Sequence, residues 1–224
     1  MLVEMYETED QQIEAVKKWF KKNGPSIFLS IIVSVGIVFG WQGWEQSQQK
    51  GSEVASELYQ GMIEALVLIK SDTDLETNRH AKTVKHLAGK LISEHSGLHY
   101  SYFAGLALAK LAVQDNDLVE AENQLRWVVE QSNDASMTSI ARIRLAHVLA
   151  SQGNVNDGLV MLNTEISSAF KSLSDEARGD LYLLLDDKEQ ARMAYQSSVD
   201  YAKGNGEREN TLVQLKLSDL AKAP

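Results

Sequence analysis

Residues 108–125 read LAKLAVQDNDLVEAENQL, and the same pattern returns twice further along the chain. It returns at residues 145–162 as LAHVLASQGNVNDGLVML and at residues 178–195 as RGDLYLLLDDKEQARMAY. In each copy two small residues stand 12 positions apart, and a polar turn lies between them. A large apolar residue follows four positions after the second small one, so each copy reads as two helices joined by a tight turn.

The three copies predict stacked helix pairs of the tetratricopeptide type. Small residues on both helices of a pair let the two backbones approach closely, and consecutive pairs then stack. The small pairs are Ala109 and Ala121, Ala146 and Gly158, and Gly179 and Ala191, and the following large residues are Leu125, Leu162 and Tyr195. The pattern lacks the usual helix-ending proline, and Arg178 stands where a core leucine is expected. Another antiparallel helical array remains the alternative.

Helix-spaced apolar residues also dominate the rest of residues 45–224, which predicts an all-α chain. Two earlier helices form a divergent first pair with the core stripe Ala55, Leu58, Met62, Ala65 and Ile69. A last helix carrying Leu212, Leu215, Leu217 and Leu220 is expected to cap the stack, as solenoids require. The expected helices are 47–70, 75–94, 98–114, 118–131, 135–151, 155–168, 174–185, 187–202 and 207–221.

A second feature precedes the repeats. Residues 26–44 read SIFLSIIVSVGIVFGWQGW, and no charge occurs between Lys22 and Glu45. About twenty helical residues cross the hydrocarbon core of a bilayer. An apolar core helix and a cleavable signal peptide are the alternatives, but the run is long and ends in tryptophans, which favours an uncleaved signal-anchor. We therefore expect three parts, namely a tail over 1–24, a transmembrane helix over 25–44 and a repeat domain over 45–224.

The orientation of this helix follows from four lysines in front of it. Basic residues near the ends of a membrane helix stay in the cytoplasm. Lys17, Lys18, Lys21 and Lys22 precede the run, whereas Lys50 is the only base between it and Lys70. This predicts a cytoplasmic tail and an exported C-terminal part. Gly36 and Gly40 form a G-x-x-x-G pattern, which is a candidate face for packing against another membrane helix.

Composition excludes several classes of function. Residues 45–224 hold 18 basic and 26 acidic residues, a formal charge of −8, which is a poor match for nucleic acid. The chain has no cysteine, so thiolate catalysis and thiolate metal sites are excluded. The five histidines form no H-E-x-x-H pattern, and no phosphate-binding glycine loop or nucleophile elbow occurs. We expect no catalytic residue, no metal site and no cofactor.

Helical repeat arrays bind peptide segments on a face built from the first helix of each pair. By register this face includes Phe103, Leu106 and Lys110 in one unit and Ile143 and His147 in the next. Val113, Gln114, Ile140 and Ser151 fall on the same face. Plain core packing is the alternative for the apolar members, whereas Lys110 and His147 are expected to face solvent.

The whole chain resembles a known family, the ancillary subunits of the SecYEG translocon. The resemblance is strongest in the segment YETEDQQIEAVKKWF at residues 6–20, followed by Asn23-Gly24, and it includes Gly179 with DKEQAR at 187–192. It implies a single-pass protein of the Gram-negative inner membrane, with a cytoplasmic N-terminus and a periplasmic repeat domain. It also implies that this domain works beside the Sec translocon and a membrane-anchored periplasmic chaperone of the prolyl-isomerase type, without catalysis of its own.

The sequence therefore favours a non-enzymatic, membrane-tethered interaction protein that assists exported proteins. The alternative is an envelope-stress regulator whose N-terminal tail sequesters a cytoplasmic signalling protein. A small periplasmic hydrolase is a third possibility, but the sequence shows no catalytic cluster for it. Whether the chain forms homo-oligomers is left open.

Overall fold

The computed structural model describes residues 9–69, 74–208 and 210–222, and every regular element in these ranges is helical. Within helix α1 the side chains of residues 9–12, 15, 24–33, 36, 40 and 42–50 lie outside this description, as do those of 74, 75, 221 and 222. The all-α expectation is confirmed. The helices are α1 Glu9–Leu68, α2 Asp74–Glu94, α3 His99–Gln114, α4 Leu118–Gln131, α5 Ala135–Ser151, α6 Val155–Leu162, α7 Lys171–Leu184, α8 Lys188–Gly204 and α9 Thr211–Lys222, with a 3-10 turn at Ser168–Phe170.

The chain divides into two compact units, and the boundary falls inside α1. The first unit ends at Glu53 and the second begins at Val54. Among the residues whose side chains are described, no helix combines the length and the apolar character that a membrane crossing needs. Most of the predicted anchor at 25–44, including Gly36 and Gly40, has side chains outside that set. The anchor and its glycine face therefore stay predictions.

The turn between the two helices of each repeat has one backbone design. A residue with positive φ ends the first helix, and the amide of the following residue donates to a carbonyl five positions earlier, which satisfies the end of the helix. The positive-φ residues are Asn116, Gly153 and Asp186, at φ 58°, 89° and 58°. The N···O distances are 2.8 Å from Asp117 to Ala112, 2.9 Å from Asn154 to Leu149, and 3.0 Å from Asp187 to Tyr182.

Aspartates begin three of the helices. The carboxylate of Asp117 accepts from the amide of Glu120 at 3.0 Å, and that of Asp187 accepts from the amide of Gln190 at 3.1 Å. Asp134 accepts from the amides of Ser136 and Met137 at 2.7 and 3.2 Å. Each bond satisfies an amide that has no partner inside the helix, so at these three breaks the aspartate is an N-cap.

The small-residue register is confirmed by the contacts between helices. A Cβ added to Gly158 would lie 2.7 Å from the carbonyl oxygen of Ala146, the small residue 12 positions earlier. One added to Gly179 would lie 2.5 Å from the ring of Tyr195. The large residues Leu125, Leu162 and Tyr195 are all fully buried. Each helix pair thus closes over its small residues and fills the remaining space with one large side chain.

The first pair is built as the sequence predicts. Ala55, Met62 and Ala65 of α1 are buried, and Leu58 and Ile69 pack at the edge of the same cluster. Val84, Ala88 and Leu91 supply the opposing face from α2. This core adjoins α3, so the divergent pair is continuous with the repeats that follow it.

The segment between α6 and α7 differs from the expectation. The sequence predicts one helix over 155–168, but α6 ends at Leu162 and α7 begins at Lys171. Arg178 Nη2 donates to the carbonyl of Leu162 at 2.9 Å, and the amide of Ser167 donates to Ser139 Oγ at 2.9 Å. These tertiary hydrogen bonds replace the helical ones, so the arginine at a core-leucine position caps α6 instead.

Helix α9 packs at the end of the array, but the residues that it buries differ from those expected. Leu212 and Leu215 are each 56% exposed, so the expected apolar cap is wrong for these two. Val213 is fully buried, and Leu217 and Leu220 pack beside it against the Tyr195 cluster. Helical spacing puts 213, 217 and 220 on one stripe, and that stripe faces α8.

Candidate functional site

A groove runs over the faces of helices α1, α3 and α5 within the second unit. It consists of two adjoining cavities of about 490 and 390 Å³, which share Leu106, Lys110 and Arg144. The larger cavity reaches Ile63 and Leu66 of α1 and Phe170 beside α7. The smaller one runs between α3 and α5 to the ends of both helices. We call this surface the first-helix groove, and its lining comes from Ile63, Leu66, Phe103, Leu106, Lys110, Val113, Met137, Ile140, Arg144, His147 and Val148.

The floor of the first-helix groove is apolar. Leu106, Met137 and Val148 are buried in the core cluster of α3, α4 and α5, so they fix the floor rigidly. Phe103 is 41% exposed and packs against the ring of Tyr59, with centroids 5.6 Å apart. Val113 is 46% exposed. Apolar side chains that stay open to solvent in a concave surface are typical of a binding site.

Three basic side chains stand over this apolar floor. Lys110, Arg144 and His147 are all exposed, and within the described part of the chain none of their side chains forms an ion pair or a hydrogen bond. Partial burial lowers the pKa of the Arg144 guanidinium, which indicates an incompletely hydrated charge. Because the chain as a whole carries a formal charge of −9, a cluster of basic side chains that form no ion pair with a described residue distinguishes this surface.

One carboxylate, Asp134, lines the larger cavity, but it is already engaged. The amides of Met137 and Ser136, together with His99, hold the pKa of this carboxyl below its ordinary value. His99 Nε2 lies 3.5 Å from the second carboxylate oxygen. Asp134 therefore serves the start of α5 and does not neutralise the three bases.

The structure brings four of the five predicted residues to the groove. Phe103, Leu106 and Lys110 line the larger cavity, and His147 lines the smaller one. Ile143 lies elsewhere, because it is only 3% exposed and packs in the core between α5, α6 and α7 with Leu162 and Leu181.

Sequence reasoning missed Arg144, Ile63 and Leu66. Arg144 stands 14 positions before Gly158, and the equivalent positions in the other units are Ala107 and Ala177. A long basic side chain at a repeat position that is otherwise alanine could have been recognised from the repeat register alone. Ile63 and Leu66 could not be placed because the divergent first pair has no repeat register.

No catalytic or metal centre emerges among the residues that the structure describes. In those ranges no three His, Asp or Glu side chains lie together in a way that could hold a metal ion. His99 is paired with Asp134, and His147 stands over an apolar floor. The arrangement suits the binding of another molecule.

The repeat register, the positive-φ turns and the stacked pairs agree with the comparison to known families, in which the tetratricopeptide repeat-like domain family matches residues 17–222. The chain belongs to this family. The tetratricopeptide-type prediction is therefore confirmed over nearly the full length.

Curated relatives support the narrower resemblance as well. An "Ancillary SecYEG translocon subunit" of Aggregatibacter actinomycetemcomitans is 29% identical over 212 residues, covering 95% of this chain and 97% of the relative. The protein of that name from Escherichia coli K12 is 29% identical over 197 residues, covering 88% and 90%. One from Neisseria gonorrhoeae is 22% identical over 215 residues, covering 95% and 97%. The resemblance drawn from the sequence is confirmed, and no solved structure matches the chain.

Proposed function

We propose that this chain is a non-enzymatic, membrane-tethered interaction protein that works beside the Sec translocon and uses the first-helix groove to hold a polypeptide segment. The observation that carries the proposal is the groove itself. It joins an apolar floor to three basic side chains with no acidic partner in the described ranges. Exposed apolar side chains and unpaired basic side chains in one concave surface are typical of a binding site.

The Sec translocon is proposed as a partner because of the names of the relatives. Proteins named as ancillary SecYEG translocon subunits match 95% of this chain, and the match covers 97% of their own length. A membrane-anchored periplasmic chaperone of the prolyl-isomerase type is proposed as a second partner on the strength of the family resemblance. Both partners would meet the repeat domain on the outer side of the inner membrane.

The tether is supported by the sequence. The charge-free residues 23–44 are long enough to span a bilayer, and the four lysines before them favour a cytoplasmic tail. A tethered domain meets its partners at a high effective concentration, so even a modest affinity for the groove would suffice.

The charges of the groove define the ligand. Lys110 and Arg144 favour a segment that carries at least one carboxylate, to which His147 can add a hydrogen bond, and the apolar floor favours neighbouring aliphatic or aromatic side chains. Exported chains expose such segments before they fold.

The experiment compares two charge reversals of equal size. Lys110→Glu with Arg144→Glu changes the groove, whereas Lys82→Glu with Lys90→Glu changes two exposed lysines on α2. Each pair changes the formal charge by −4, from −9 to −13. We expect the groove variant to lose most co-purifying partners from mild detergent, and the α2 variant to keep them, at equal thermal stability.

Equal partner recovery from the two variants would contradict the groove assignment. A third variant lacking residues 1–16, which keeps the four lysines that set the orientation, should still recover the partners, because the tail would lie across the bilayer from the repeats. Loss of partners only in this deletion would instead favour the reading in which the tail holds a cytoplasmic signalling protein.

A further inference from the structure

The first turns of α1 carry an apolar face that nothing in the described part of the chain covers. Ile13, Val16 and Phe20 follow helical spacing of i, i+3 and i+7, and they are 51%, 62% and 61% exposed. Trp19 is 55% exposed and lies beside Phe20, with ring centroids 6.2 Å apart. At about 100° per residue these four side chains share one arc of the helix.

The lysines of the same segment divide into two pairs around this arc. Lys17 and Lys22 lie about 40° and 60° beyond the two edges of this arc, whereas Lys21 and Lys18 lie about 80° and 100° beyond them. All four are exposed, and none forms an ion pair with a residue that the structure describes. An amphipathic helix that combines Trp and Phe on one side with flanking lysines has the composition of helices that lie in the membrane interface.

We propose that residues 13–22 bind the surface of an anionic phospholipid bilayer, with the Ile13, Val16, Trp19 and Phe20 face in the headgroup region and Lys17 and Lys22 against the lipid phosphates. Anionic lipid is favoured over a protein occupant because the four bases lie next to the charge-free run that starts at Asn23, whereas residues 13–22 contain one acidic residue, Glu14, at the end away from that run. Such placement matches a charged surface at the edge of the bilayer.

The sequence also supplies a place for the chain to turn from the surface into the bilayer. Pro25 has no amide hydrogen to donate to the carbonyl four residues earlier, and Gly24 precedes it. The helical hydrogen bonding of α1 is therefore weakest between the basic segment and the apolar run. The inference rests on the proposed membrane tether, and its test must separate the two.

The chain has no cysteine, so single cysteines can be labelled uniquely with a polarity-sensitive fluorophore. The full-length protein is reconstituted into vesicles of phosphatidylcholine, with or without phosphatidylglycerol. Val16→Cys probes the apolar face, Lys18→Cys the far face two residues away, and Val38→Cys the proposed anchor. In anionic vesicles we expect a blue-shifted Val16 label and an aqueous Lys18 label.

Two matched lysine pairs then test the charge contact. Lys17→Gln with Lys22→Gln should remove most of the blue shift at Val16, and Lys18→Gln with Lys21→Gln, which removes the same charge, should remove much less. Vesicles of phosphatidylcholine alone should behave like the first variant.

Labels at positions 16 and 18 that report equally polar environments would overturn the inference. A blue shift at Val16 that depends neither on lipid charge nor on the lysine pairs would overturn it as well. Shielding of Val16 that grows with the ratio of protein to lipid would assign the face to a second copy and overturn it as well. An aqueous label at Val38 would overturn the tether independently of what Val16 reports.

Discussion

At the scale of single residues, Gly158 lies where the backbones of two helices approach closely. It occupies the small position of the second repeat, where an added methyl would lie 2.7 Å from the backbone oxygen of Ala146. Backbone atoms cannot rotate away as a flexible side chain can, so the pair would have to separate. The glycine is therefore required by packing, in contrast to a glycine whose surroundings are open.

Gly89 provides the matched comparison, because it lies inside α2 with nothing within 4 Å of an added Cβ. We expect Gly158→Ala to reduce the free energy of unfolding by about 1–3 kcal/mol through overpacking. Gly89→Ala should increase it by about 0.5–1 kcal/mol, since alanine restricts the unfolded chain. Denaturant titration of both variants measures the difference, and changes of the same sign would contradict the register.

Asp134 gives a prediction that depends on pH. Its pKa is lowered from 3.8 by the amides of Met137 and Ser136 at the start of α5, so its carboxylate stabilises the folded state above that pH. This contribution is lost as the pH falls through the lowered pKa. Asp134→Asn keeps a capping side chain that does not titrate. The stability of the wild type should therefore fall more steeply than that of the variant on acidification, and parallel acid profiles would contradict it.

At the scale of elements, α9 is docked through one ammonium group. Lys216 Nζ lies 2.6 Å from a carboxylate oxygen of Asp180 and 3.2 Å from one of Glu176. It also lies 5.5 Å from the centre of the Tyr195 ring, whose hydroxyl donates to Asp180 at 2.6 Å. Burial opposes the charge of Lys216, but the two carboxylates outweigh it and raise its pKa.

Lys216→Met should therefore loosen α9, because two partly buried carboxylates lose their cation. We expect a loss of about 1–3 kcal/mol and faster hydrogen exchange in Thr211–Lys222. Lys188→Met, at an exposed position of α8, is the control and should leave exchange unchanged. In the wild type the contribution of Lys216 should persist up to pH 10.5 and disappear only as the pH rises through its raised pKa. Unaltered exchange in α9 would show that Val213, Leu217 and Leu220 hold it alone.

The helices also show which features of the fold can be predicted from the sequence and which cannot. The register of Ala121, Gly158 and Ala191 could be read directly, because close packing leaves a fixed pattern of small residues. The end of α6 could not, because Arg178 reaches Leu162 from 16 residues away and Ser139 holds Ser167 from another helix. Local periodicity contains no trace of such contacts. The same limit applies to the groove, where Ile63 and Leu66 belong to the divergent first pair, which has no repeat register.

At the scale of the whole molecule, the proposed tether makes a prediction about the side of the membrane on which the repeats lie. The four lysines before the apolar run predict that they are exported. A reporter enzyme that is active only after export should be active when fused after Ser71 and inactive when fused ahead of Asn23. The reverse pattern would contradict the orientation, and activity in neither fusion would argue against a span.

The absence of proline from the helices after α1 has a consequence for a bound prolyl isomerase. The chain has two prolines, Pro25 and Pro224, so the helices from α2 to α9 contain none. Slow cis–trans isomerisation is essentially a property of X–Pro bonds. A prolyl isomerase bound to the repeats would thus find no bond there on which to act. The contact proposed between this protein and such a chaperone would be stoichiometric docking, which leaves the isomerase site free for the exported chain.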